Sequence, residues 1–594
     1  MSINKDLNKD LNKDLNKDLN KDLNKDLNKE FNKDLNKDLN KNFNKDFKKY
    51  KLPKSNATMA EICMPHKFKL QPQQLFLKDY FKSKYAKKGL LIFHQIGAGK
   101  TCTAITIAED YKNRMNVIII LPAALIGNFK DELRSKCAND NYLTDEERNE
   151  LNLPISKSKY KKIIEKSDKK IKEKYTIYSY HKFVELYKNN KIKLRNTLLI
   201  VDEIQNMISD EGSFYTSLKE SIMKSDDKTR IILLSATPMF NSPDEIALTL
   251  NLLKLKKELP IGKQFNNMFI EPIETKTGIE YKVKNENEFK SYLNNIISYY
   301  RGAEPQSFPK TIFKLVKCNM EPFQYKSYRT IIDSEEQGSF MGKDILNLPS
   351  DFLLGPRLIS NIAFPNKHIG KKGFTSLIGS MLKKKNISKY SKKFYKILNK
   401  ISKSSGPIFV YSNFKDIGGI KSFVQYLEYN GYKNYRTNGE GKYRFAIWSG
   451  DESAKTKEKI KRTFNNINNI NGNKIKIILG TPSIKEGISL LRVEQVHIME
   501  PYWNMSRILQ IIGRAIRFCS HKDVEKEKRQ VEVFLYLATY PKEQTVDQYI
   551  WLKAKSKQNL ILQFEKILKE KAIDCNLFYN RNVYKNEEAL KCNK

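Results

Sequence analysis

The sequence predicts an α/β fold with two parallel-sheet domains, helical insertions and a low-complexity N-terminal tail. Three observations predict it. Two regions alternate short apolar runs with amphipathic segments, which is typical of parallel strands joined by helices. Each region carries one phosphate-handling motif, GAGKT at 97–101 and QIIGRAIR at 510–517. The chain of 594 residues is also long enough for two or three domain cores.

The N-terminal tail, residues 1–50, repeats the tetrapeptide NKDL and later varies it to NKEF, NKNF and NKDF. Leu7, Leu11 and Leu15 begin a series spaced by four residues, which gives a slowly drifting apolar stripe on a helix. The repeated asparagine lowers helix propensity, and the stripe has no heptad. We predict a disordered or marginally helical tail without chemistry; a helical oligomerisation arm is the alternative.

The first predicted domain spans 51–255. Its apolar runs are GLLIFH at 89–94, NVIIILP at 116–122, TLLIVDE at 197–203 and RIILLSATP at 230–238. TCTAITIAEDY, directly after GAGKT, is expected to be a helix. The Lys- and Asn-rich stretch at 134–172 is interpreted as an inserted element.

The rest of the chain divides into three further parts. Residues 256–400 show helical patterns and few clear strands, and are interpreted as a helical insertion and linker. A second strand-rich region, 401–545, contains PIFVYS, FAIWSG, KIIL, VHIME and VEVFLYLA. Residues 546–594 form a C-terminal extension that begins with a long, Lys-rich amphipathic helix.

The formal net charge is +41, and the tail repeat contributes little of it because each unit pairs one lysine with about one acid. A body this basic favours a polyanionic partner, most plausibly nucleic acid. Solubility alone needs much less charge.

Seven cysteines are scattered along the chain without any CxxC pair, which predicts a reducing compartment, no disulfide framework and no zinc site. No apolar run approaches the length that spans a bilayer, and the N-terminus does not look like a signal peptide. We therefore expect no membrane partner. The cysteines are Cys63, Cys102, Cys137, Cys318, Cys519, Cys575 and Cys592.

GAGKT lies between a predicted strand and a predicted helix, the setting that a phosphate loop requires. Glycines let the backbone approach phosphate, and a helix N-terminus adds the positive end of a dipole. Lys100 is expected to reach the β- and γ-phosphates of ATP, and Thr101 to bind Mg²⁺. A chance glycine turn is the alternative, and His94 stands where the full GxxxxGKT pattern has glycine. The expected nucleotide contacts are His94, Gln95, Ile96, Gly97, Ala98, Gly99, Lys100 and Thr101.

Asp202 and Glu203 follow a hydrophobic strand, at the sheet edge where ligands bind in parallel α/β folds. Asp202 can hold Mg²⁺, directly or through water, and Glu203 can accept a proton from the attacking water. Capping of the next helix is the alternative for an isolated acidic pair. The two hydroxyls of the SAT sequence at 235–237 could link the phosphate site to the domain cleft, but an ordinary Ser/Thr turn before Pro238 is the favoured interpretation.

Gln510, Arg514 and Arg517 are spaced to share one face of a helix. Both arginines suit stabilisation of charge on a transferring phosphoryl group, and Gln510 could orient water or phosphate. A solvated basic helix face is the alternative, but it does not account for Gly513 in a largely apolar stretch.

The order HQIGAGKT, DEIQ, SATP, GTPSIKEGISL and QIIGRAIR resembles the superfamily 2 helicase-type ATPases. PAALIGNF and EPYWN resemble the chromatin-remodeller branch. The HxxGxGKT loop and WNMSRILQIIGRAIRFCSH resemble poxvirus nucleoside triphosphatase I and similar enzymes of yeast cytoplasmic linear plasmids. The likeness covers 65–575, weakly across 256–400. Gln205 replaces the usual histidine of DExH, and the tail has no counterpart in the family.

The resemblance implies two RecA-like domains with ATP and Mg²⁺ between them, and nucleotide contacts from Gln74 and Gly487. It further implies a cytoplasmic, DNA-dependent ATPase that translocates on DNA and supports transcription, with an RNA polymerase as a possible partner. Two alternatives stay open. One is a strand-separating helicase of replication or RNA processing. The other is a DNA-binding scaffold without catalysis, against which the intact Lys100, Asp202, Glu203 and Arg517 argue.

Overall fold

The computed structural model describes most of the chain beyond the tail repeat. The described residues are 42–43, 45–54, 57–64, 68–152, 156–208, 212–275, 278–334, 353–485, 488–584 and 587–592. The predicted tail therefore lies almost entirely outside the described residues.

Fifteen strands lie in this part of the chain. They are β1 Gly89–His94, β2 Asn116–Leu121, β3 Tyr175–Ser179, β4 Thr197–Val201, β5 Arg230–Ser235, β6 Ile270–Thr275, β7 Gly278–Val283, β8 Ile297–Tyr300, β9 Lys310–Asn319, β10 Ile408–Tyr411, β11 Lys433–Asn434, β12 Arg444–Trp448, β13 Ile477–Gly480, β14 Gln495–Ile498 and β15 Gln530–Thr539.

Two of the sheets are wholly parallel, which confirms the predicted fold class. The first has the order β3-β2-β4-β5-β1-β8, and the second β11-β12-β13-β10-β14-β15-β9. Helices cover both faces of each sheet, so the central strands are buried and largely apolar, as β1 and β4 show by being buried at every residue.

The helices connect these strands and cover the sheets. They are Met59–Cys63, Pro72–Lys82, Lys100–Tyr111, Ile126–Leu133, Asp145–Asn152, Lys157–Lys174, Tyr180–Lys188, Ser213–Met223, Glu245–Asn251, Gly262–Phe269, Glu286–Tyr292, Pro322–Ser334, Leu354–Asn361, Lys371–Ser376, Lys392–Ile401, Ile420–Tyr429, Tyr435–Asn438, Ala454–Phe464, Met505–Ile512, Val546–Lys571 and Tyr579–Asn582.

The segment 256–400 is less helical than the sequence predicts. It holds the antiparallel hairpin β6–β7, and it supplies β8 to the edge of the first sheet and β9 to the edge of the second. The chain therefore leaves the first sheet after β8, beyond residue 255. Edge position explains the missed strand β9, whose residues are mostly exposed and interspersed with lysines.

The helix Val546–Lys571 belongs to both domains. Near its start, Tyr549 and Ile550 pack in a cluster with residues of the second domain. Farther along, Phe564 and Leu568 enter the core beneath the first sheet. With 26 residues, the helix is about 39 Å long, which is enough to connect the two cores.

The end of the tail packs on the first domain. Phe47 is 5% exposed, and its ring centroid lies 5.2 Å from Phe76 and 6.3 Å from Tyr80. Phe43 lies 5.4 Å from Tyr85, centroid to centroid. The predicted tail, residues 1–50, therefore includes residues that belong to the core of the first domain.

We expect deletion of residues 1–41 to leave ATP turnover unchanged, because it leaves these aromatic contacts in place. By contrast, Phe47→Ala should lower the free energy of unfolding by about 3 kcal/mol, the scale of a phenylalanine lost from a core. Phosphate release measures the turnover, and denaturant unfolding measures the stability. Phe68→Ala is the control, since Phe68 is 46% exposed. Equal stability of the Phe47 and Phe68 variants would contradict the packing role.

The prediction that the chain has no disulfide framework was wrong. Six of the seven form disulfides: Cys63–Cys519, Cys102–Cys137 and Cys575–Cys592, with Cys318 free and buried. The partners are 456, 35 and 17 residues apart, so the sequence holds no short spacing that could reveal them. Among the helices that the structure describes, none is long and apolar enough to cross a membrane.

Candidate active site

The phosphate loop follows β1 and leads into the helix Lys100–Tyr111. Gly97 has φ +84° and Gly99 has φ +77°, left-handed values that glycine adopts without strain. Gly99 is also the residue before the first turn of the helix, whose N–H groups have no partners within the helix. The loop thus forms an anion-binding cradle with Lys100 and Thr101 at its end.

Gln74 lies against this loop. Its Oε1 accepts a hydrogen bond from the backbone N–H of Gln71 at 2.8 Å, which fixes the side chain at the start of the helix Pro72–Lys82. A Cβ on Gly99 would come within 2.8 Å of Gln74 Nε2. Next to it, Gln73 Nε2 donates to the carbonyl oxygen of Ala98 at 3.4 Å. The structure thus places the Gln74 amide beside the phosphate loop, and its contact with the nucleotide stays a prediction.

The imidazole of His94 is used inside the fold. It is fully buried, and its Nε2 lies 2.9 Å from the hydroxyl oxygen of Ser298 on β8. Burial, with a smaller effect of the Lys100 charge, lowers the pKa of His94 to about 3. A neutral side chain bonded to the neighbouring strand is not available to phosphate, so the structure does not support the predicted nucleotide contact by this side chain.

The acidic pair follows β4, close to the phosphate loop in the sheet. Asp202 is 6% exposed, and its Oδ1 accepts a hydrogen bond from the Glu203 N–H at 2.9 Å. Burial and then the charge of Glu203 raise the pKa of Asp202, while the charge of Lys100 lowers it. The lysine and the two acids therefore act on one another across a single site.

A chain of hydrogen bonds joins Glu203 to the SAT sequence. Gln205 Nε2 donates to Glu203 Oε2 at 2.5 Å, and Ser235 Oγ donates to Gln205 Oε1 at 2.7 Å. The Thr237 N–H then donates to Ser235 Oγ at 3.0 Å. SAT therefore forms the Ser/Thr turn that the sequence indicates, and Ser235 in addition contacts a residue 30 positions away, which links the turn to Glu203. In the sequence, the only indication of this contact was Gln205, which replaces the usual histidine of DExH.

The arginines do not lie on one helix face. The helix Met505–Ile512 includes Gln510 but ends before Arg514 and Arg517. Beyond the helix the chain turns, and the Arg514 carbonyl oxygen accepts from the Leu490 N–H at 2.9 Å. Arg517 Nε donates to the Gly513 carbonyl oxygen at 3.2 Å. Burial and then the charge of Arg514 lower the pKa of Arg517 to about 10, so it remains a cation near neutrality.

The two motifs meet across the domains. A Cβ on Gly513 would lie 3.7 Å from Ile96 Cδ1, so the turn that carries the arginines reaches the phosphate loop. A second contact joins the domains where Asn504 Nδ2 donates to Asn241 Oδ1 at 3.1 Å. Gly487, the remaining predicted nucleotide contact, lies outside the described residues.

Comparison with known proteins agrees with this arrangement. The SNF2-related domain family matches residues 73–393, and the helicase conserved C-terminal domain family matches residues 390–519. The chain belongs to the superfamily 2 helicase-type ATPases. This superfamily 2 ATPase is therefore an ATP-hydrolysing enzyme.

Three viral relatives show how much of the ATPase is shared. A candidate ATP-dependent RNA helicase of Acanthamoeba polyphaga mimivirus is 49% identical over 92% of this chain and 96% of its own length. Another mimivirus protein of the same description is 27% identical, over 90% and 78% of the two lengths. A termination factor NPH-I homolog of African swine fever virus is 26% identical, over 82% and 76%.

Proposed function

We propose that this ATPase hydrolyses ATP to ADP and phosphate as it moves along DNA, in support of cytoplasmic transcription by elongation or transcript release. The observation that carries the proposal is the approach of Gly513 to Ile96, which sets the arginine turn of one domain against the phosphate loop of the other. Hydrolysis in such a cleft couples charge stabilisation to the relative position of two domains.

The residues at the site fit ATP and Mg²⁺. The left-handed glycines and the helix N-terminus suit phosphate, and the Thr101 hydroxyl and Asp202 carboxylate are oxygen donors of the kind that Mg²⁺ prefers. Mg²⁺ would neutralise charge on the phosphate oxygens. Lys100 would hold the phosphates, Glu203 would take a proton from the attacking water, and Gln205 would orient Glu203.

The name of the African swine fever virus relative supports a role in transcription, and the net charge of +41 supports a polyanionic partner. A cytoplasmic location and an RNA polymerase partner are part of the same proposal. The second candidate is an RNA helicase, which the name of the 49% identical relative favours. ATP turnover measured with single-stranded DNA, duplex DNA and RNA, beside a strand-displacement assay, separates the two functions.

We expect binding to nucleic acid to weaken steeply as salt rises, with little preference for base sequence, because lysines and arginines that neutralise phosphates release counterions. Stimulation of ATP turnover should fade over the same salt range. Fluorescence anisotropy with two unrelated DNA sequences, from about 50 to 200 mM salt, tests this. Basal turnover without nucleic acid is the control. Turnover indifferent to any nucleic acid would instead indicate an ATPase driven by a partner protein.

A further inference from the structure

Asp574 lies three positions beyond the long helix Val546–Lys571, in the segment that covers the edge of the first sheet. It is fully buried. Its Oδ2 accepts a hydrogen bond from Ser298 Oγ at 2.5 Å, and its Oδ1 accepts one from the Tyr299 N–H at 2.9 Å. Both carboxylate oxygens are therefore bonded to the edge strand β8.

The strand β8 connects Asp574 to the phosphate loop. Ser298 Oγ lies 2.9 Å from His94 Nε2, and His94 is the last residue of β1. One position farther along, the Gln95 N–H donates to the Tyr300 carbonyl oxygen at 3.0 Å. Beyond the strand, a Cβ on Gly302 would lie 3.4 Å from Ala98 Cβ. The loop thus rests on β8 at its first residues and again at Ala98.

The chemistry of the three side chains sets the direction of their hydrogen bonds. Burial raises the pKa of Asp574 to about 7, and above this pH its ionised carboxylate only accepts, so the Ser298 hydroxyl donates to Asp574 and the Ser298 oxygen accepts from His94. In that state His94 carries its proton on Nε2, and burial keeps the ring neutral by lowering its pKa to about 3. Asp574 consequently determines both the tautomer and the orientation of the residue that precedes the phosphate loop.

We propose that Asp574 is a positioning residue for the nucleotide site, which holds the entrance of the phosphate loop through Ser298 and His94. The inference rests on the proposed nucleotide site and extends it to the C-terminal segment. It differs from simple coverage of β8, which Asn582 also provides by donating to the Tyr299 carbonyl oxygen at 3.1 Å. Of these two contacts, the one made by Asp574 continues through the Ser298 side chain to His94.

The test compares Asp574→Asn and Ser298→Ala with the wild-type chain. Loss of loop positioning weakens binding of the ground state and the transition state alike, so it should raise KM with little change in kcat. We expect KM for ATP and the Kd of fluorescent methylanthraniloyl-ATP to rise about three- to tenfold, the scale of one hydrogen bond. The double variant, with Asp574→Asn and Ser298→Ala together, should show less than the sum of the two effects, because both changes interrupt the same series of hydrogen bonds.

Glu570→Gln is the matched control. Glu570 is a buried acid of the same segment, and its carboxylate lies 3.3 Å from Lys290 Nζ, away from the loop. This variant should lower the melting temperature and leave the Kd unchanged. Unaltered nucleotide Kd in Asp574→Asn and Ser298→Ala, at temperatures where both are folded, would overturn the proposal.

If Asp574→Asn does not fold, Ser298→Ala alone tests the proposal. This change removes a single oxygen and interrupts the hydrogen bonds between Asp574 and His94 at their middle member. A wild-type protein that binds the fluorescent nucleotide without hydrolysing it would contradict the proposed function. Comparing the Kd values of the variants and the wild type would still support or overturn the role of Asp574. A failure of the proposed function can therefore be distinguished from a failure of the Asp574 proposal.

Discussion

Glu203→Gln is expected to lower ATP turnover at least about a hundredfold, the scale of a lost general base. The change keeps the shape of the side chain but removes the group that can take a proton from water. Glu203 accepts a hydrogen bond from Gln205 Nε2 at 2.5 Å, which helps to orient its carboxylate. Phosphate release at saturating ATP and Mg²⁺ measures the effect.

Lys100→Ala provides the contrast, because Lys100 is assigned to phosphate binding. We expect this variant to lose affinity for methylanthraniloyl-ATP as well as turnover, also by about a hundredfold or more. Glu203→Gln should keep its affinity, which shows that the fold and the cradle remain intact. Near-normal turnover in purified Glu203→Gln would remove Glu203 from its assigned role.

Arg517→Ala should also cost at least about a hundredfold in turnover, because it removes a cation that stabilises charge on the transferring phosphoryl group. Burial lowers the pKa of Arg517 only to about 10, so the charge is present at neutral pH. Single-turnover kinetics separate this loss from weaker binding. Arg517→Lys should recover only part of the rate, since an ammonium group lacks the planar fork of donors.

Arg462→Ala is the matched control for the second domain, since the Arg462 side chain is 83% exposed on the helix Ala454–Phe464. Its turnover should equal that of the wild type. Full activity in Arg517→Ala together with inactivity in Arg514→Ala would transfer the role to Arg514. Full activity in both would contradict the assignment of either arginine.

The sequence predicted what short-range chemistry determines. The left-handed Gly97 and Gly99 could be inferred because a phosphate loop requires them between a strand and a helix. The end of the helix at Ile512 could not, because the spacing of Gln510, Arg514 and Arg517 continues a helical pattern through it. Beyond the helix, the Arg514 carbonyl oxygen accepts from the N–H of Leu490, a contact between distant segments.

Contacts between distant segments account for the other differences between the sequence-based predictions and the structure. Ser235 is hydrogen-bonded to Gln205, and His94 to Ser298. The partners in each pair lie far apart in the sequence, so local residue spacing does not predict either contact. The strand β8 has only four residues, too few for a periodicity to be recognised. The edge strand β9 mixes lysines with apolar residues, which resembles an exposed segment more than a buried strand.

The helix Val546–Lys571 determines when the enzyme can finish folding during its synthesis. Domains generally fold as units while the chain emerges from the ribosome, N-terminal first. Here the first core is completed by Phe564, Leu568 and Phe578, which follow the second domain in the chain. Until these residues are made, the apolar surface of the first core that they cover stays uncovered. A chain truncated before this helix would leave that apolar surface in contact with solvent.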